Sequence, residues 1–230
     1  MKVLTAEAEL FAVHEQALRA RPGDFGEDFL GRSLAAILIR AEDTIQAQRE
    51  RRVMLAEMRP LHDRYDVLVT AAPGPAARFE AWRTIHFWQK GSLTTPFNVT
   101  GGPALSQRIG HTPEGLPLAM QVVGRPFVDA AVLRVADAYE RATPWSERRP
   151  ALVPGTAPPP LPPVPDPTPA EVSGAERDAI ALRARRAGLG LNERQFELLC
   201  AAAPDVAAMA GRLRRPRGFE AEPVSVFAFG

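Results

Sequence analysis

Apolar positions recur at helical spacing through the first third of the chain. From Thr5 to Arg19, Leu10, Phe11, Val13, Ala17 and Leu18 share one broad face; Thr5, Glu7 and Glu9 supply a capped, acidic start, and Pro22-Gly23 a stop. A second helix is predicted from Phe25 to Ile39. A third runs from Ala41 to Arg64, with Ile45, Val53, Leu55, Met58 and Leu61 scattered among charges and Pro60 placed to bend or shorten it. The period then changes. Tyr65 to Thr70, YDVLVT, is a short β-branched run stopped by AAPGP, the pattern of a buried strand. Ala104 to Gly110 and Leu116 to Gly124 predict two more strands, joined across HTPEG with Pro113 and Gly115 placed for a hairpin. Asp129 to Ala142 is again helical, with Val132, Leu133, Val135, Ala136 and Tyr139 apolar. Helices around three strands predict an α/β domain.

From Leu152 to Pro169 the text VPGTAPPPLPPVPDPTP is too rich in proline for a packed element and predicts an extended linker. Its polyproline form would also suit an SH3-like partner, although a spacer is the simpler reading. Beyond it, Ser173 to Arg186 and Asn192 to Arg215 predict two helices about a Gly-Leu-Gly turn, with Asn192 and Gln195 at capping-box spacing. The last residues, GFEAEPVSVFAFG, form an apolar tail that must dock or stay loose. The expected organisation is therefore an α/β stretch over residues 1–150, a Pro-rich linker over 151–172 and a helical tail over 173–230.

Composition narrows the chemistry. With 46% hydrophobic residues in 230, the chain can bury a sizeable core. A formal net charge of +1 argues against a protein that mainly grips a phosphate backbone. The single cysteine, Cys200, excludes an internal disulfide framework and sits in LLCAAA, where a small buried residue is expected. MKVLTAEAEL lacks the order of a secretory leader and no apolar run is long enough to span a bilayer, so a cytoplasmic, non-membrane protein is expected.

Candidate reactive groups do not assemble into a catalytic set. None of Ser33, Ser92, Ser106, Ser146, Ser173 and Ser225 stands in G-x-S-x-G or S-x-x-K. Lys90 and Ser92 are close in sequence without any guarantee of contact. His14, His62, His86 and His111 are scattered; His62 clusters with Asp63 and Asp66 at a helix end, where a histidine also suits the dipole. RLRRPR at Arg212 to Arg217 is the one basic patch, read as the arginine-rich end of a helix before a nucleic-acid contact. No cofactor or metal is expected.

Four segments in order, RYDVLVTAAPGP, SLTTPFNVTGGPALS, EGLPLAMQVVGRPF and LRVADAYERATPW, resemble the C-terminal half of the amidase signature family from about Leu4 to Pro150. That family includes broad amide hydrolases and the amidase subunit of tRNA-dependent amidotransferases. The resemblance implies part of a large mixed sheet flanked by helices. It also implies amide cleavage by a Ser–cis-Ser–Lys triad beside a Gly/Ser-rich segment, in a half of the family pattern to which nothing here corresponds. No catalytic residue therefore carries over. The resemblance assigns a pocket wall instead: the P-x-N-x-x-G segment, a loop near the reaction centre, with Thr95, Phe97, Asn98, Gly101 and Gly102 as candidate substrate contacts. From the residues alone, that segment is equally a tight structural turn between strands.

Two departures bear on this assignment. Gln107-Arg108 stands where relatives carry small or apolar residues, and a charged arginine in a central strand is costly unless paired. Gly91 stands where amidotransferase subunits carry an acid that helps bind glutamine, which counts against glutamine as substrate. The tail weakly resembles small helper subunits of some amidases, which wrap the large subunit with helices and an extended belt. Three functions remain open: the C-terminal portion of an amide hydrolase, unable to hydrolyse amides alone; a non-enzymatic interaction module derived from one; or, less well supported, an amidotransferase subunit. The expected partners are an N-terminal amidase half or a second copy of the chain, with a small amide as substrate of the complete site.

Overall fold

The computed structural model describes residues 1–74, 83–149, 153–157, 160, 163, 166, 168–218 and 220–222. These fall into two compact units: Met1–Val53 with Trp82–Lys90 and Pro165–Gly230, and Met54–Ala81 with Gly91–Val164. The last residues of the tail and much of the expected Pro-rich linker lie outside the described residues.

The first unit is helical. It holds α1 (Lys2–Ala20), α2 (Glu27–Ser33), the start of α3 (Ala41–Arg64), α4 (His86–Gln89), α7 (Gly174–Arg186) and α8 (Glu193–Leu213). Leu4, Leu18, Leu30, Leu34, Leu199 and Cys200 are all but fully buried in one cluster shared by these helices. α8 supplies the largest share of that core, with Leu198, Leu199, Ala202, Val206, Ala210 and Leu213 repeating at helical spacing. Both C-terminal helices carry complete capping boxes. Ser173 pairs with Glu176, and Asn192 pairs with Gln195 as their spacing predicts. Trp88 of α4 is buried and its indole N–H donates to Gly31 O at 2.9 Å, tying α4 to α2.

Several helical expectations are corrected. α1 starts at Lys2, so Thr5 lies inside the helix and caps nothing. Its buried face is Leu4, Glu7 and Leu18, while Val13 is 79% exposed. The expected Phe25–Ile39 helix is α2 followed by a 3-10 segment, Leu34–Leu38. That tighter winding turns Leu34, Ala35 and Ala36 into the core together. Pro60 does not shorten α3, which continues to Arg64; the proline forfeits only one backbone N–H near the helix end. Most apolar side chains of α3 are partly or largely exposed, and Asp43 and Ala47 are its buried residues.

The expected basic patch is engaged by α3. Arg214 makes a two-pronged pair with buried Asp43, Nε to Oδ1 at 3.0 Å and Nη2 to Oδ2 at 3.1 Å. Arg217 pairs with Glu50. Further along the same segment, the Glu222 carbonyl accepts from Arg52.

The second unit is built on three antiparallel strands, β1 (Val67–Ala71), β2 (Ala104–His111) and β3 (Pro117–Gly124), in the order β1-β3-β2. β3 is central, and Val122 and Val123 are the most buried residues of this unit. α6 (Asp129–Ala142) covers the sheet through Ala131, Val132 and Ala136. The turn joining β2 to β3 closes through Thr112 N to Leu116 O, 2.8 Å, and Gly115 N to Thr112 O, 2.9 Å, with Gly115 at φ 89°. The Glu114 carboxyl there is held below the ordinary glutamate value by hydrogen bonding to Thr112 and to its own backbone N–H.

Candidate functional site

The PFNVTGG segment is a helix, not a loop. α5 (Thr95–Thr100) has Pro96 in its first turn, where a missing N–H costs nothing, and ends at Gly101 in the left-handed region, φ 77°. Gly102 then meets the other end of the sheet: a β-carbon there would lie 2.3 Å from Gly124 O. Gly124 N donates to Pro103 O at 2.9 Å, and pairing continues from Ala104 opposite Val123. One glycine therefore ends the helix and the next lets two backbones touch at the mouth of the β2–β3 pair.

These elements surround a cavity of about 270 Å³. The end of β1 contributes Ala72 and Pro73, and α5 contributes buried Phe97 and exposed Asn98. Ala104 and Ser106 of β2 complete the wall with Gln121 of β3. Of the five expected contacts, the fold brings Phe97 and Asn98 to the cavity. Thr95, Gly101 and Gly102 do not line it; the two glycines position the elements that do.

Polar groups run along one side. Thr94 precedes α5, and its hydroxyl lies 2.8 Å from Ser92 Oγ and accepts from Asn98 Nδ2 at 3.4 Å. Ser92 thus engages Thr94, the neighbour that sequence proximity to Lys90 did not suggest. Gln121 is only 4% exposed, and its amide nitrogen donates to Ala71 O at 2.9 Å, Thr70 Oγ1 at 3.3 Å and Leu93 O at 3.4 Å. This side chain ties the end of β1 to the segment before α5 and was missed by sequence reasoning. A signal for it exists: one uncharged polar residue at an inward position of LAMQVVG.

Arg108 is accommodated in the sheet, with a register shift in the β2–β3 pair between Arg108 and Gly110. β2 is an edge of the three-stranded sheet, and the Arg108 guanidinium donates to Trp145 O at 3.0 Å and Arg148 O at 2.8 Å. It latches the segment after α6 onto β2. His111 lies on the same strand with its ring against Trp145, and its pKa is lowered by desolvation and by Arg148 and Arg108. Burial, with Arg125, likewise lowers that of His62. Among the described residues, no three His, Cys, Asp or Glu side chains gather as a metal site. The cavity can hold and orient a small polar ligand through hydroxyl and amide groups. Among the described residues lining it, none is a histidine, lysine or carboxylate that would serve as a general base.

Comparison with known proteins places this arrangement. The Amidase family profile matches residues 14–133, which include the sheet, α5 and every residue lining the cavity. The chain belongs to the Amidase family. Over 157 residues it is 30% identical to a glutamyl-tRNA(Gln) amidotransferase subunit of Symbiobacterium thermophilum, covering 63% of this chain and 31% of that protein. Over 156 residues it is 34% identical to an amidase of Pseudomonas putida, covering 63% and 33%. The corresponding glutamyl-tRNA(Gln) amidotransferase subunit of Chloroflexus aurantiacus is 37% identical over 113 residues, 47% of this chain and 23% of that one. The aligned stretch is thus about a third or less of each relative's length. No solved structure matches the chain. No helix among the described residues is long and apolar enough to cross a membrane.

Proposed function

We propose that this chain forms the scaffold and part of the substrate-pocket wall of an amide hydrolase. In this reading the reacting serines and lysine lie outside these 230 residues. The observation that carries it is the cavity, where Phe97 and Asn98 of the family's P-x-N-x-x-G segment meet Gln121 and Ser106. Phe97 offers an apolar surface to an acyl group, and Asn98 offers both a donor and an acceptor to an amide. The lack of a Gly/Ser-rich stretch in the sequence supports placing the nucleophile and oxyanion donors elsewhere.

The second unit is suited to a partner that completes it. β1 and β2 are edge strands among the described residues, and Val69, Phe127 and Leu133 are 56%, 80% and 58% exposed. An N-terminal amidase segment fits this surface, and self-association of the chain is the substitute when that segment is lacking. Residues 1–150 are then the amidase-like stretch, with 151–172 as linker and 173–230 as a helper-like tail in a cytoplasmic enzyme.

A second reading, in which the chain belongs to a tRNA-dependent amidotransferase, is favoured by the name that several relatives carry. Gly91, in place of an acid, weighs against it. An interaction module without catalysis is a third reading; the Arg108 departure speaks for it less than the sequence suggests, since Arg108 donates to the Trp145 and Arg148 carbonyls.

The test is to incubate the purified chain with small amides and with a serine-directed fluorophosphonate probe. No hydrolysis and no labelling are expected. Stoichiometric labelling of any serine would overturn the proposal, because the nucleophile would then be in this chain.

A further inference from the structure

Two arginine–carboxylate pairs inside the helical unit are not made alike. Nε and Nη2 form one edge of a guanidinium, able to donate two parallel hydrogen bonds to a single carboxylate. Arg214 uses that edge in full, donating to the two oxygens of Asp43 at 3.0 and 3.1 Å. Arg32 of α2 uses half of it on Glu7 of α1. Its Nη2 donates to Glu7 Oε1 at 3.3 Å, longer than the about 2.7–2.9 Å of a charge-assisted pair. Arg32 Nε and Glu7 Oε2, the atoms that would complete the fork, are both buried without a hydrogen-bond partner. Asp43 and Glu7 are each 1% exposed, so burial does not distinguish the two pairs. A difference in charge state accounts for the half-made fork. An ionised carboxylate accepts at both oxygens, whereas a neutral carboxyl carries on one of them an O–H that opposes an incoming N–H. Desolvation pushes the Glu7 carboxyl above its ordinary value; Arg32 of α2 and Lys2 of α1 pull it down, and Asp28 of α2 adds to the rise. From α4 the neighbour is the Phe87 ring, whose centroid lies 4.2 Å from the Arg32 guanidinium carbon.

We propose that Glu7 and Arg32 form a proton-gated latch between α1 and α2, half-made while Glu7 Oε2 holds its proton and closed into a two-pronged pair once that proton leaves. The step breaks one O–H bond, passes the proton to water and turns Oε2 into an acceptor for Arg32 Nε–H. The hydrogen bond gained offsets part of the cost of burying the new charge. Closure draws the guanidinium toward α1 and away from the Phe87 ring, so the packing of α4 responds to a charge carried on α1. The Arg32 side chain is 36% exposed, which keeps this buried pair within reach of water.

The experiment follows the isotopically labelled 230-residue chain by NMR across the pH range in which it stays folded. Its probes are the Glu7 carboxyl carbon, the Arg32 Nε–H and the Phe87 ring. As pH rises and Glu7 ionises, exchange of the Arg32 Nε–H with water, corrected for its ordinary pH dependence, should slow at least about tenfold, the protection expected from one charge-assisted hydrogen bond. The Phe87 ring signals should shift with the same midpoint. Glu7→Gln removes the titrating proton and should abolish both changes. Arg32 exchange that is unaltered across the Glu7 transition would overturn the latch, as would a transition that persists in Glu7→Gln. A Glu7 carboxyl that keeps one charge state over the whole range would overturn it as well. Should Glu7→Gln not fold, the midpoints of Glu7 and Arg32 in the native chain decide alone: coincidence supports the latch and separation overturns it.

Discussion

Replacing Gly102 by alanine tests how the sheet is closed at the site. A β-carbon at this position would sit 2.3 Å from Gly124 O, whereas β-carbons essentially never come within 3.0 Å of a neighbouring heavy atom. The two backbones must part by about 0.7 Å, at the point where Gly124 N donates to Pro103 O at 2.9 Å. Overpacking of this kind costs about 1–3 kcal/mol, and a weakened hydrogen bond adds about 0.5–1.5 kcal/mol. Gly102→Ala should therefore destabilise the second unit by about 2–4 kcal/mol. Neighbouring Gly101 is a control of a different kind. It is left-handed but has no atom within 4 Å of a built β-carbon, so Gly101→Ala should cost only about 1 kcal/mol. Gly91→Ala, with open space and no left-handed backbone, should be near neutral. Urea denaturation followed at the Val122 and Val123 amide resonances measures all three. A Gly102→Ala variant no less stable than Gly101→Ala would refute the close-approach argument.

Other outcomes follow from single contacts. Arg108→Leu should release the segment around Trp145 to Arg148, seen as faster amide exchange there, with a loss of about 1–2 kcal/mol; unchanged exchange would show that the two carbonyls do not depend on it. Asn192→Ala should cost about 1 kcal/mol by removing the α8 cap, read from the thermal unfolding of the helical unit. Burial holds the Glu7 carboxyl above the ordinary value of 4.5, against the opposing pull of Arg32. The folded state therefore binds this proton more tightly than the unfolded one, and stability should fall as pH rises from the unfolded value through the folded one. Glu7→Gln should flatten that part of the pH–stability curve, and an unchanged slope would place the titration elsewhere.

Much of the architecture was legible because long periodic segments carry their own signal. α3, α6, α8 and all three strands stand within a few residues of where their patterns put them. The errors come from residues whose fate is decided by distant neighbours. Val13 fits an apolar stripe yet is exposed, and Glu7, which reads as an acidic helix start, is buried beside Arg32. α5 is a helix of six residues, too short to show a period, and its proline and paired glycines read as a loop. Arg108 looked costly because local sequence gives no sign that its strand lies at an edge or that two carbonyls wait for it. At the site, the motif led to Phe97 and Asn98. Gln121 escaped because its three acceptors come from β1 and from the segment before α5, which only the fold brings together.

The central claim is that the cavity around Asn98 and Gln121 holds the substrate of an amide hydrolase whose nucleophile comes from elsewhere. The most direct measurement uses a chimera in which this chain's residues 14–142 replace the aligned stretch of the Pseudomonas putida amidase. Steady-state hydrolysis of a small aliphatic amide would be compared with and without Asn98→Ala. The chimera should be active, and its kcat/KM should fall at least tenfold on that substitution. An active chimera with unchanged kcat/KM would contradict the claim.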